Sequence, residues 1–185
     1  MKYEPRAHQD YGTKKMIEQA STGAFMDMGL GKTVCTLTAF LEIPKKACLV
    51  IAPLKVAESV WSDEIEKWDH LNHLRLVKVL GSEKQRKAAL TKKADLYIIN
   101  RENVVWLVEY FGSNWPFDFL IIDELSSFKS HDSKRFRALK LILKYVKKTI
   151  GLTGTPAPNG LLDLWAQVFL LDKGERLEKS FAQYR

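Results

Sequence analysis

Met26-Asp27-Met28-Gly29-Leu30-Gly31-Lys32-Thr33 is the stretch that decides the fold. Two glycines one residue apart let the backbone turn tightly enough for successive N–H groups to face one anion. The residues from about Lys32 to Glu42 carry helical periodicity, and the N-terminus of that helix turns its dipole to the same site. Lys32 is placed to reach the β- and γ-phosphates of a nucleotide, and the Thr33 hydroxyl to bind Mg²⁺. Such loops usually have a small residue where Met26 stands, so the match is incomplete at its first position. A short apolar run from Gly23 to Met28 precedes the loop. Strand, loop and helix in that order separate a phosphate cradle from a glycine turn that happens to precede a lysine.

A second half-site lies far downstream. Phe117-Asp118-Phe119-Leu120-Ile121-Ile122 reads as a buried strand and ends in Asp123-Glu124. Acids at the carboxyl end of a core strand lie where open α/β sheets bind ligands. Asp123 is suited to hold Mg²⁺ through its water shell, and Glu124 to orient and deprotonate an attacking water. Alone, two acids after a strand would read as a solvated turn. Beside the glycine loop they read as chemistry.

The rest of the chain alternates helices with short apolar strands. Helices are expected at His8–Ala20, Val56–Trp68, Glu83–Lys92, Arg101–Tyr110, Ser133–Val146 and Leu161–Leu170. Further strands are expected at Ala47–Ala52, Leu74–Leu80, Leu96–Asn100 and Thr149–Thr153. That alternation implies an α/β fold, a mostly parallel sheet with helices on both faces. The chain has 185 residues, enough for one domain with its own core. No apolar run approaches the roughly 18 residues of a membrane span, and Met1-Lys2-Tyr3-Glu4-Pro5 does not read as a signal peptide. The two cysteines, Cys35 and Cys48, lie in apolar stretches and read as buried thiols. A cytoplasmic or nucleoid-associated protein is expected. The formal charge of +7 makes a polyanionic partner plausible.

With these residues in view, the chain resembles the first RecA-like lobe of superfamily 2 helicase ATPases, in the Swi/Snf-like branch of DNA translocases. The resemblance runs from about Pro5 to Asp172. Arg6-Ala7-His8-Gln9 is similar to the block whose glutamine, here Gln9, reads adenine. Asp27 to Thr33 is similar to the branch's nucleotide loop, in which Met28, Gly29, Leu30, Gly31, Lys32 and Thr33 contact the nucleotide. Leu49 to Lys55, with Trp61 and Glu64-Ile65-Glu66-Lys67-Trp68 after it, resembles the second block. Tyr97-Ile98-Ile99-Asn100 stands at a DNA-side block. Leu152 to Asn159 resembles the third motif, whose Thr153-Gly154-Thr155 couples nucleotide state to DNA grip.

The resemblance implies a three-layer RecA-like P-loop NTPase domain over residues 1–172. Residues 173–185 would form a tail, or the start of a connection to a second lobe. It implies ATP and Mg²⁺ as ligands, with catalysis by Lys32, Asp123 and Glu124 and the metal at Thr33 and Asp123. It implies double-stranded DNA as partner, met by Lys55, Asn100 and Arg101, and a second RecA-like lobe, in cis or trans, that supplies arginine fingers. The family's acidic motif continues Gly-His or Ala-His where Leu125-Ser126 stand here, so Ser126 takes the place of a coupling histidine.

Other readings stay open on the residues alone. One is a non-catalytic module that binds DNA or protein. Another is an unrelated P-loop kinase or GTPase, disfavoured by the Thr153-Gly154-Thr155 block and by the lack of a guanine-reading Asn-Lys-x-Asp segment. Lys134, Arg137, Lys140, Lys144 and Lys147, and the run Lys84 to Lys93, read equally as phosphate-contacting or as solvated helix faces. Trp61 and Trp68 read as core rather than base-stacking residues. His8 borders the expected adenine pocket, whereas His70, His73 and His131 show no metal-ligand spacing.

Overall fold

The computed structural model describes residues 1–27, 29–157 and 159–185. Helix α1 (Ala7–Glu18) leads to β1 (Ser21–Phe25), and the glycine loop joins β1 to α2 (Lys32–Glu42). Then come β2 (Cys48–Ala52) and a π-helical turn at Val56–Val60 that runs into α3 (Trp61–Lys67). They are followed by β3 (Leu76–Val79), α4 (Glu83–Leu90), β4 (Leu96–Asn100) and α5 (Val104–Phe111). The chain continues through β5 (Phe119–Asp123), α6 (Lys134–Ile142), β6 (Lys148–Thr153), α7 (Leu162–Asp172) and a short α8 (Phe181–Tyr184).

The six strands form one sheet in the order β1-β6-β5-β2-β4-β3, and every pair is parallel. Parallel neighbours need crossovers, and helices supply them on both faces. Strand alternation divides the core into two layers. Leu49, Ile51, Leu120 and Ile122 face one layer, with Leu107 of α5, Leu139 of α6 and Leu170 of α7. Cys48, Val50, Ala52, Phe119 and Ile121 face the other, with Met16 of α1, Phe40 of α2 and Trp61 of α3. Central strands buried on both faces are why β2 and β5 read as unbroken apolar runs. The expected three-layer α/β fold is present.

Several expected boundaries shift by a few residues, two of them beside the carboxyl ends of the strands. The first strand is Ser21–Phe25, not Gly23–Met28. As the sheet's outer strand it has a strand neighbour on one side only, and it includes the polar Ser21 and Thr22, paired with Thr149 and Ile150. The helix expected from Arg101 begins instead as a 3₁₀ turn over Arg101–Asn103. Cys35 and Cys48 are buried free thiols, and burial pushes both above the ordinary thiol range, which leaves them inert.

Residues after α7 fold back on it. Asp172 caps the backbone N–H groups of Gly174, Glu175 and Arg176. Trp165 Nε1 donates to the Glu178 carbonyl at 3.1 Å, and Phe181 stacks on His131 at 4.1 Å.

Gly151, in the middle of β6, shows how tightly the layer under the acids is packed. A Cβ there would lie 2.6 Å from Leu125 Cδ2 and 2.9 Å from Leu171 Cδ2. Both leucines are buried and have little room to yield. Gly151→Ala is therefore expected to cost about 1–3 kcal/mol, read as a lower denaturant midpoint with an unchanged slope.

Candidate nucleotide site

Because every strand runs the same way, Phe25, Ala52, Asn100, Asp123 and Thr153 all finish at one edge of the sheet. β6 lies between β1 and β5, so its last residue sits between the glycine loop and the acids. Thr153 touches both. Its carbonyl accepts from Met26 N at 3.2 Å, while its Oγ1 donates to Glu124 Oε1 at 3.1 Å. The same Oγ1 accepts from Thr155 N at 3.1 Å, and Ser126 Oγ donates to Glu124 Oε1 at 2.7 Å. Gly154 forms the bend between the two threonines. The expected coupling residues are thus gathered around Glu124. Glu124 itself is left-handed, φ 57° and ψ 59°, a strained state for a residue with a Cβ and one that clusters at functional sites.

The loop is built as its glycines require. Gly29 and Gly31 have φ of 80° and 81°, which glycine adopts without cost. A Cβ on Gly31 would also lie 2.6 Å from Gln9 Nε2. Gln9 braces the loop: its Oε1 accepts from Arg6 N at 2.9 Å, and its Nε2 donates to the Leu30 carbonyl at 3.2 Å. Lys32 Nζ spans the loop, donating to the carbonyls of Met26 at 2.7 Å and Asp27 at 2.9 Å. Thr33 is the second residue of α2. Met28 lies outside the described residues. A cleft of about 380 Å³ opens beside the loop, lined by Tyr3, Arg6, Gln9, Gly31, Val34 and Trp68 among others.

Trp61 is the residue that the sequence reading missed. It is fully buried, as expected of core, yet its Nε1 donates to Asp123 Oδ2 at 2.9 Å. The available signal was chemical: a buried indole N–H needs an acceptor. Burial raises the Asp123 carboxyl above its ordinary value, and the Trp61 bond opposes that rise. A folded-state value above the unfolded one means that ionised Asp123 costs stability at neutral pH, a cost that disappears below the unfolded value near 3.8. Asp123→Asn should therefore raise the denaturation midpoint at pH 7–8, with the gain shrinking as pH falls towards 4. Chemical denaturation across pH checks this; a variant less stable at pH 8 would contradict it.

The donor set also bears on the cation. Among the described residues no three His, Cys, Asp or Glu side chains are grouped to hold a metal. A hydroxyl and one carboxylate suit Mg²⁺, which keeps waters and takes substrate phosphates as ligands. A carboxylate strained by burial gains from such a cation.

The expected DNA-side residues are placed differently from one another. Lys55 is exposed just past β2. Asn100 is 6% exposed, donates to Glu102 Oε2 and accepts from Asn103 Nδ2, so its amide serves the turn. Arg101 is half-buried and donates to Glu102 Oε1 at 2.9 Å. On α6, Lys140 lies over the Phe169 ring at 4.8 Å, and Arg137 donates to the Asp132 carbonyl. No helix among the described residues is long and apolar enough to cross a membrane.

The profile of the SNF2-related domain matches residues 8–181. The chain belongs to the SNF2-related domain family. Putative protein p41 of Acyrthosiphon pisum secondary endosymbiont phage 1 is 40% identical over 190 residues, spanning 97% of this chain and 41% of p41. The chromatin-remodeling ATPase INO80 of Aspergillus niger is 28% identical over 170 residues, spanning 82% of this chain and 10% of INO80. The SWI2/SNF2 ATPase core of Sulfolobus solfataricus, solved in complex with double-stranded DNA, superposes with a TM-score of 0.80 at 27% identity. That match covers 100% of this chain and 38% of the Sulfolobus chain. This SNF2-related chain thus spans less than half the length of each.

Proposed function

We propose that this chain is the ATP-binding lobe of a DNA-dependent ATPase of the SNF2 type. It hydrolyses ATP to ADP and phosphate when a second RecA-like lobe, in cis or in trans, completes the site. The proposed setting is the cytoplasm or nucleoid. The observation that carries the reading is the bonded run from Thr155 through Thr153 and Glu124 to Ser126, one strand away from the Lys32 loop.

In this reading the base occupies the cleft beside Gln9, and the phosphates lie on the N–H groups from Gly29 to Thr33 at the start of α2. Lys32 exchanges its loop carbonyls for phosphate oxygens, a stronger, charge-assisted partnership. Glu124, held by two hydroxyl donors, orients the attacking water and takes its proton. Thr33 and Asp123 would hold Mg²⁺, which would neutralise phosphate charge. Lys55 and Arg101, beyond the ends of β2 and β4, meet DNA phosphates, Arg101 by leaving Glu102, while Asn100 shapes the turn that presents it. Such contacts are salt-dependent and largely indifferent to sequence.

An arginine supplied from outside contributes about 10³–10⁵ in rate to comparable sites. The isolated chain is accordingly expected to bind ATP yet release phosphate near the rate of a Lys32→Ala blank, with or without duplex DNA. Phosphate-release assays at saturating ATP test this. Vigorous DNA-stimulated turnover by the chain alone, abolished in Lys32→Ala, would overturn the half-site reading.

A further inference from the structure

Trp61 is the first residue of α3 and directly follows the π-helical turn Val56–Val60. Single π turns inside helices recur at functional sites. This one has two faces. Outward, Leu54, Lys55, Glu58, Ser59 and Val60 are exposed, on the segment that the proposed function gives to DNA. Inward, the wholly buried Trp61 reaches Asp123 Oδ2 at 2.9 Å. The turn opens on a local bond, Ala57 N donating to the Pro53 carbonyl at 2.9 Å, and is tied to the sheet by Lys78 of β3, which donates to the Glu58 carbonyl.

We propose that Trp61 is a positioning residue that links the DNA face to the nucleotide site, an inference that rests on the proposed function. Its N–H fixes one oxygen of Asp123 and with it the plane of the carboxylate. A phosphate strand that seats on Lys55 and the exposed side of the π turn bears on the first residue of α3, and one hydrogen bond passes the displacement to Asp123. The reverse also holds, since coupling between two binding sites is reciprocal. This route runs through the π turn and α3 to the end of β5 and is separate from the Thr153–Glu124 contacts of β6.

The test uses the full chain labelled with ¹⁵N and reads its indole N–H signals by NMR. Trp61→Phe identifies the Trp61 signal by its loss, and Asp123→Asn identifies it independently, by displacing it, should Trp61→Phe fail to fold. Titration with a mixed-sequence duplex oligonucleotide is expected to move this signal with the midpoint given by fluorescence anisotropy of the same DNA. In a second arm, saturating duplex changes Mg²⁺–ATP affinity at least about fivefold in the wild type, the lower range of site-to-site coupling, and less than about twofold in Trp61→Phe. DNA that binds while the Trp61 signal stays fixed would overturn the inference, as would an unchanged coupling factor in a folded Trp61→Phe. DNA that fails to bind, seen directly in the anisotropy, would overturn the parent reading and the inference with it.

Discussion

Glu124→Gln, made in a protein that carries this lobe together with its partner lobe, is expected to lower ATP turnover by about 10²–10⁴-fold while ATP affinity stays nearly unchanged. Glutamine keeps the shape of the side chain. Its carbonyl oxygen still accepts from Ser126 Oγ and Thr153 Oγ1, the two donors that hold Glu124 now. It cannot take a proton from water. Steady-state phosphate release and nucleotide titration, run side by side, separate the two effects. Loss of affinity with turnover preserved would assign Glu124 to nucleotide binding instead. Glu124→Ala is the poorer test, because it leaves the Ser126 and Thr153 hydroxyls without their acceptor.

Lys32→Ala is expected to weaken ATP binding by about 10–150-fold, the equivalent of one charge-assisted hydrogen bond of about 1.5–3 kcal/mol. The fold should be indifferent. The lysine's partners within the protein are two loop carbonyls, Met26 and Asp27, at a partly exposed position, and water can replace the ammonium there. Fluorescent-nucleotide titration and thermal denaturation together make the check. A variant that binds ATP as well as the wild type would remove Lys32 from the site, and one that unfolds would make it structural.

Much of this arrangement is legible in the residues. The Lys32–Glu42 helix and the Leu96–Asn100 strand agree with expectation to the residue, because a glycine turn bounds the first and apolar burial on both faces marks the second. The grouping of Ser126, Thr153 and Thr155 about Glu124 follows from motif order once β6 lies between β1 and β5. What escaped depends on contacts between distant parts of the chain. Nothing in the spacing of Trp61 reveals that its indole meets Asp123, since a sheet crossover brings them together. Lys148 is buried and donates to the carbonyls of Ile17 and Gln19 at the end of α1, a contact with a part of the chain far away in sequence. Burial lowers its pKa. The π turn at Val56–Val60 has no composition of its own and reads as ordinary helix. The resemblance gives Asn100 and Arg101 by position alone, whereas their hydrogen bonds to Glu102 and Asn103 depend on local geometry.

If the loop from Gly29 to Thr33 cradles phosphate, as proposed, the affinity of the site resides in phosphate. The most direct measurement is calorimetric titration of the wild-type chain with ATP and with adenosine, each in the presence of Mg²⁺. Saturable binding of one ATP per chain is expected, with adenosine weaker by at least about tenfold, the loss of roughly one charge-assisted contact. Adenosine binding as tightly as ATP, or no saturable ATP binding at millimolar concentration, would contradict it.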